Sequence, residues 1–183
     1  MDELETERLY LRLFNPDDLE ALSLIRSDPD VMRYMRDGNP LSREEVSENL
    51  ARIIQHYREH RFGLWAVIYK QDSQLIGYCG LQFLEQTPEI ELGYMLAKAY
   101  WGKGLATEGA KASLKYGFET LKLERIVAVA YPENLASRRV MEKVGMKYEK
   151  EARYYNRNVA YYARSKQAYK PEDCSYILRT VDF

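Results

Sequence analysis

The chain has 183 residues, with 28 acidic against 27 basic side chains for a formal charge of −1, and 16 of its residues are tyrosine. That length fits one domain, and a composition of 46% hydrophobic and 30% charged residues provides both a core and a solvated surface, which excludes a disordered chain and a disulfide-stapled mini-protein. Near-neutral charge also speaks against a general nucleic-acid binder, which needs a basic excess.

Cys79 and Cys174 stand far apart, with neither a Cys-x-x-Cys nor a Cys/His ligand spacing, so the pattern calls for no metal site and no disulfide framework. The first residues, Met-Asp-Glu-Leu-Glu, are acidic, and no stretch approaches the roughly 18 apolar residues of a membrane span. The expectation is one cytoplasmic domain over residues 1–183, with no membrane partner.

Taken in order, Leu9, Leu11 and Leu13 alternate with Tyr10 and Arg12 as a half-buried strand does. Asn15-Pro16 then caps and opens a helix predicted over 16–27. Ser42 with Glu45 forms a capping box, and Val46, Leu50, Ile53, Ile54 and Tyr57 share one helical face, which predicts a second helix over 43–60. Residues 64–69 and 75–84 read as a hairpin turning at Gln71-Asp72-Ser73. Residues 89–96 alternate again, with Ile90, Leu92, Tyr94 and Leu96 on one face. A glycine-containing loop leads into a helix with its stripe at Ala110, Leu114, Phe118 and Leu121. A strand is predicted over 125–130, and then a helix capped by Asn134 and ended by Gly145. Residues 146–183 read as two or three strands with a long connection over 166–173. The pattern is an α/β chain on a mixed sheet.

The loop at 102–107 carries the chemistry. Small residues between a strand and a helix let backbone N–H groups approach an anion, and the helix dipole favours phosphate there. A Walker A loop ending at Gly102-Lys103 requires glycine at 97 and Ser/Thr at 104, where this chain has Ala97 and Gly104. A dinucleotide loop starting at Gly102 requires Gly or Ala at 107, where it has Thr107.

Three blocks, in order and spacing, resemble the GNAT superfamily of N-acetyltransferases. They are Glu91-Leu92-Gly93-Tyr94-Met95-Leu96, Tyr100-Trp101-Gly102-Lys103-Gly104-Leu105-Ala106-Thr107-Glu108, and Asn134-Leu135-Ala136-Ser137 with Glu142-Lys143-Val144-Gly145-Met146. Within the superfamily the blocks are similar to the RimJ/RimL-type group, which acetylates ribosomal-protein N-termini and similar amines. The resemblance implies a mixed, mostly antiparallel sheet of about seven strands, with a splayed opening between the fourth and fifth, flanked by about four helices. It also implies acetyl-coenzyme A as co-substrate, no metal, and homodimerisation as a family-level expectation.

By that resemblance Gly102, Lys103, Gly104, Leu105, Ala106 and Thr107 bind the pyrophosphate through backbone amides, with Trp101 where the general pattern has Gln or Arg. Tyr94, Met95 and Leu96 pair with the pantetheine arm, and Asn134, Ser137 and Met141 line the same ligand. Glu91 is the expected base, since acetyl transfer requires an uncharged amine. The family's usual acid, a tyrosine seven residues after the matched asparagine, is replaced here by Met141. Ser137, four residues earlier on the same helix face, is the substitute candidate.

Charge is unevenly spread. Residues 1–30 hold nine acids and three bases, whereas residues 150–170 hold six bases and one acid. Asp28, Asp30 and Asp37 are either an attraction for a cationic amine or ordinary solvated helix ends. Arg153, Arg157 and Arg164, interleaved with Tyr154, Tyr155, Tyr161 and Tyr162, are either an RNA surface or hairpin packing. His56 and His60 at i and i+4 read as a surface pair. The sequence thus points to a direct N-acetyltransferase acting on a primary amine of a protein N-terminus or a small molecule. The alternative is a non-catalytic acyl-coenzyme A sensor of the same fold.

Overall fold

The computed structural model describes residues 2–35, 37–171 and 175–180. Its elements are β1 (Asp2–Glu5), β2 (Leu9–Arg12), α1 (Leu19–Arg26), α2 (Pro29–Met32), α3 (Arg43–His60), β3 (Leu64–Tyr69), β4 (Gln74–Phe83), β5 (Ile90–Leu96), α4 (Leu105–Glu119), β6 (Arg125–Ala130), α5 (Leu135–Lys143), β7 (Lys147–Tyr154), β8 (Arg157–Ser165) and β9 (Ile177–Thr180). Cys174 and part of the predicted connection over 166–173 lie outside the described residues.

The strands form one sheet ordered β7-β8-β6-β5-β4-β3-β2-β1-β9. All neighbours are antiparallel except β5 and β6, which are parallel and register at a single pair, Glu91 with Val127. Among the described residues, the edge of β5 beyond that pair, from Leu92 to Leu96, therefore has no strand hydrogen-bonded to it on the β6 side. This is the expected splayed opening.

Among the described residues the sheet has nine strands where about seven were expected. Three of the four residues of β1 are charged and only Leu4 is buried in the core, so it carries no alternation signal. It forms because β2 and β9 pair with it on either side and satisfy its backbone groups there, with the Asp2 carbonyl also accepting from the Trp65 indole at 2.7 Å. Among the described residues the helix count also rises from about four to five, because Asp28 caps the one-turn α2 through the amide of Asp30. The helix expected over 16–27 begins as a 3-10 turn at Pro16–Asp18 closed by an Asn15–Asp18 capping box. Asp18 also receives a bidentate pair from Arg12, at 2.7 and 2.8 Å.

Alternation along β5 decides what each face of the sheet carries. Ile90, Leu92 and Leu96 join the main core beneath α4 and α5, whereas Met95 joins a second core with α1 and α3. Glu91, odd-numbered like Met95, points to the α1/α3 side, and Tyr94, even-numbered, points to the α4/α5 side. No helix among the described residues is long and apolar enough to cross a membrane.

Candidate active site

The loop after β5 is shaped by two glycines in left-handed conformation, Gly102 (φ +74°) and Gly104 (φ +77°). A Cβ at Gly102 meets nothing within 4 Å, whereas one at Gly104 meets Nη2 of Arg8 at 3.6 Å. Gly104 is the N-cap of the 15-residue α4, and no side chain caps that end. Its first-turn N–H groups and the positive end of the dipole face the loop, an arrangement that takes an anion.

A second segment clamps the loop. Arg8, in the β1–β2 turn, donates from Nη1 to the Lys103 carbonyl at 2.9 Å and from Nε to Glu108 at 2.7 Å. Its backbone N–H and the Thr6 hydroxyl donate to the other Glu108 oxygen, at 2.8 and 2.6 Å. Thr6, Arg8, Gly104, Thr107, Glu108 and Lys111 line a cleft of about 250 Å³ at this end of α4. Lys103 lays its ammonium 5.1 Å from the centre of the Tyr100 ring. Trp101 donates its indole N–H to the Leu96 carbonyl at 2.7 Å, which ties the loop to the end of β5.

On the α4/α5 side of the opening, the Tyr94 hydroxyl lies 2.9 Å from Ser137 Oγ and 2.9 Å from the Ser137 carbonyl oxygen. Burial pushes the Tyr94 phenol well above its ordinary range, so it stays protonated at neutral pH. Asn134 caps α5 by accepting from the Ser137 amide at 3.1 Å, and this fixes the backbone that presents Ser137. Met141, expected to line the coenzyme, is 1% exposed and packed in the main core with Val144 and Met146. The apolar stripe of α5 faces inward at that position.

On the α1/α3 side, Glu91 is 5% exposed. Its Oε2 accepts from the Tyr155 hydroxyl at 2.8 Å and from the Gln82 amide at 3.1 Å. Burial pushes the carboxyl up to about 7 against the pull of those two hydrogen bonds, and Glu85 nearby pushes it further. A base poised near neutral pH suits proton abstraction from an amine. Gln82, which donates to Glu91, also lines a cavity of about 240 Å³ with Asn49, Arg52, Ile53, His56 and Leu64.

Other candidates take structural roles. Asp28 caps α2, Asp30 pairs with Lys98, and Asp37 accepts from Asn39. His56 and His60, with ring centres 4.7 Å apart, pack with Phe62 and Phe83 in an aromatic cluster. Tyr161 and Tyr162 are each 1% exposed, and Tyr154 stacks on Tyr161. The buried Arg164 donates to the Val144 carbonyl at 2.5 Å.

The family model described as "Acetyltransferase (GNAT) domain" matches residues 8–147. The chain belongs to the GNAT acetyltransferase family. The chain is 36% identical over 167 residues to the uncharacterized protein YkkB of Bacillus subtilis, covering 88% of this chain and 94% of that one. It is 32% identical over 159 residues to the uncharacterized N-acetyltransferase p20 of Bacillus licheniformis, covering 86% and 89%. A GNAT-family acetyltransferase structure from Bacillus anthracis superposes with a TM-score of 0.78 at 32% identity, covering 90% of this chain and 99% of that one.

As a GNAT acetyltransferase the protein uses acetyl-coenzyme A as co-substrate, and its residues fit that group. The uncapped N-terminus of α4 and the two left-handed glycines leave room and donors for a pyrophosphate, and the β5 edge in the opening suits an extended amide-bearing arm. The sequence alone missed Arg8, Gln82, Tyr155 and the hydroxyl of Tyr94. Each acts through a contact with a residue distant in sequence, for which no local pattern exists.

Proposed function

We propose that this GNAT enzyme transfers acetyl directly to a primary amine, on a protein N-terminus in the manner of the RimJ/RimL-type group or on a small molecule. The observation that carries the reading is the buried Glu91, raised to about 7, on the face of the sheet opposite the Tyr94–Ser137 pair, with the opening between β5 and β6 as the passage.

Acetyl-coenzyme A supplies the thioester. The amides of the loop at 102–107 hold the pyrophosphate, the β5 edge at Met95–Leu96 orients the acyl end, and Glu91 takes a proton from the amine directly or through water. The amine nitrogen forms the new C–N bond as the C–S bond breaks. Tyr94, through Ser137, supplies a proton to the departing thiolate. The Tyr94 phenol thus fills the chemical place that Met141 leaves empty, from a strand instead of from α5.

The test is release of free thiol from acetyl-coenzyme A across a panel of peptides with different N-termini and of small amines. Turnover on at least one amine, lost in Glu91→Gln with coenzyme binding kept, is the expected outcome. Tight coenzyme binding with no release on any amine favours the sensor reading.

A further inference from the structure

We propose that Tyr155, at the tip of the β7–β8 hairpin, is a positioning residue for Glu91, its hydroxyl holding the buried carboxylate in place and favouring its ionised form. This rests on the reading of Glu91 as the base.

The first observation is a local rule broken. Tyr154 pairs with Arg157, so Tyr155 and Asn156 make a two-residue hairpin loop, and both are left-handed, at φ +52° and +58°. Such turns favour Asn-Gly, because a side chain at positive φ crowds its own backbone. Asparagine is tolerated in this conformation, but a tyrosine is not an intrinsic choice. A strained backbone at a site is itself a pointer to function.

The second observation is where that tyrosine goes. Its backbone N–H donates to the Glu85 carboxylate at 2.8 Å, and its hydroxyl accepts from the Glu85 amide at 3.3 Å while donating to Glu91 Oε2 at 2.8 Å. One residue of the tip therefore grips both the β4–β5 turn and a carboxylate 64 positions earlier. Two residues on, Arg157 donates to the Asp37 carbonyl at 3.3 Å and lies 6.0 Å from the centre of the Tyr131 ring. The tip is thus fixed to the β4–β5 turn, to the segment between α2 and α3, and to the end of β6.

The third observation is the company Glu91 keeps. The titratable groups around it are Glu85 from the β4–β5 turn, Tyr155 from the hairpin tip, Tyr78 from β4 and Tyr94 from β5 itself. Arg26 of α1 lies over the Tyr78 ring, 5.5 Å from its centre. Among the described residues no cation pairs with Glu91. Hydrogen bonds to the ionised form are then what keep this carboxyl able to act at neutral pH. Of the two donors, Tyr155 makes the shorter contact.

The experiment is a ¹³C NMR titration of the side-chain carboxyls in the full chain, with Glu91 assigned by its absence in Glu91→Gln, alongside pH–rate profiles on an accepted amine. Tyr155→Phe is expected to move the Glu91 titration and the acid limb of kcat upward together by about one pH unit, the scale of one charge-assisted hydrogen bond. Turnover at pH 6.5 then falls by about 10-fold, with the KM for acetyl-coenzyme A unchanged. Asn156→Gly, which relaxes the turn but keeps the Tyr155 hydroxyl, is expected to raise Tm without moving either pH curve. A Tyr155→Phe protein that loses Tm while both curves stay in place overturns the proposal, because that is what a merely structural tyrosine does. If Glu91→Gln is inactive and Tyr155→Phe is unshifted, only this proposal falls; if Glu91→Gln is fully active, the base reading falls with it.

Discussion

Tyr94 of β5 and Ser137 of α5 place their hydroxyl oxygens 2.9 Å apart, and the contact joins the strand on one side of the splayed opening to the helix that follows the strand on the other. Forty-three positions separate them in sequence. If Tyr94 is the proton source for the thiolate and Ser137 the relay, Tyr94→Phe lowers kcat by about 10-fold, less than the usual span for acid–base groups because thiolate leaves readily. Ser137→Ala, which breaks the relay, lowers it to a similar extent, and the double variant matches either single variant, since groups acting as one unit are not additive. Steady-state kinetics on the four proteins decides it; a full, additive loss in the double variant separates the two roles.

Glu91 links activity to stability. An unfolded chain releases this proton near the ordinary 4.5, whereas the native carboxyl keeps it up to about 7. Folding therefore takes up a proton between those values, and stability falls as pH rises through that window. Above it the buried charge costs roughly 3 kcal/mol, at about 1.4 kcal/mol per pKa unit. Glu91→Gln is expected to be inactive yet to melt several degrees higher at pH 8, with the advantage gone below pH 4.5. Thermal melts at both pH values check it, and a lower Tm at pH 8 contradicts the sign.

The two loop glycines separate backbone strain from contact. Gly102→Ala meets no neighbour and costs only the left-handed conformation, about 1 kcal/mol. Gly104→Ala carries the same cost and also brings a methyl against the Arg8 guanidinium that clamps Lys103. Calorimetric binding of acetyl-coenzyme A is expected to weaken in both, and more in Gly104→Ala. Arg8→Ala should weaken it as well while leaving the Glu91 titration unmoved.

Arg26 is 7% exposed, and its buried Nε has no hydrogen-bond partner among the described residues. Its guanidinium lies over the Tyr78 ring and hydrogen-bonds the Tyr78 side chain, and among the described residues no carboxylate pairs with it. A desolvated charge in that position destabilises, and an apolar residue of similar length is neutral or better. Arg26→Met is expected to leave Tm unchanged or raise it by a few degrees. If Tm instead drops by many degrees, Arg26 contributes to the fold in a way the Tyr78 contact does not account for.

Most of the fold was legible because its signals are local. The Ser42 capping box, the alternation in β5, the Asn134 cap and the left-handed Gly145 at the end of α5 each depend on residues within a few positions. The glycine loop was legible for the same reason. β1 was not, since it forms through pairing with β2 and, across almost the whole chain, with β9, and the burial of Met141 on the inner face of α5 was not either.

By itself the sequence determined the order of elements, the glycine loop before α4 and Glu91 as the carboxylate of β5. Burial and convergence came only from the tertiary structure. Three features, which no spacing encodes, carry the proposed chemistry: a carboxylate pushed up to about 7 by burial, a phenol from β5 beside Ser137, and a tyrosine from a distant hairpin tip on Glu91. Proton affinity and hydrogen bonding depend on which groups exclude water from one another, and that is fixed only when strands far apart in the chain lie side by side.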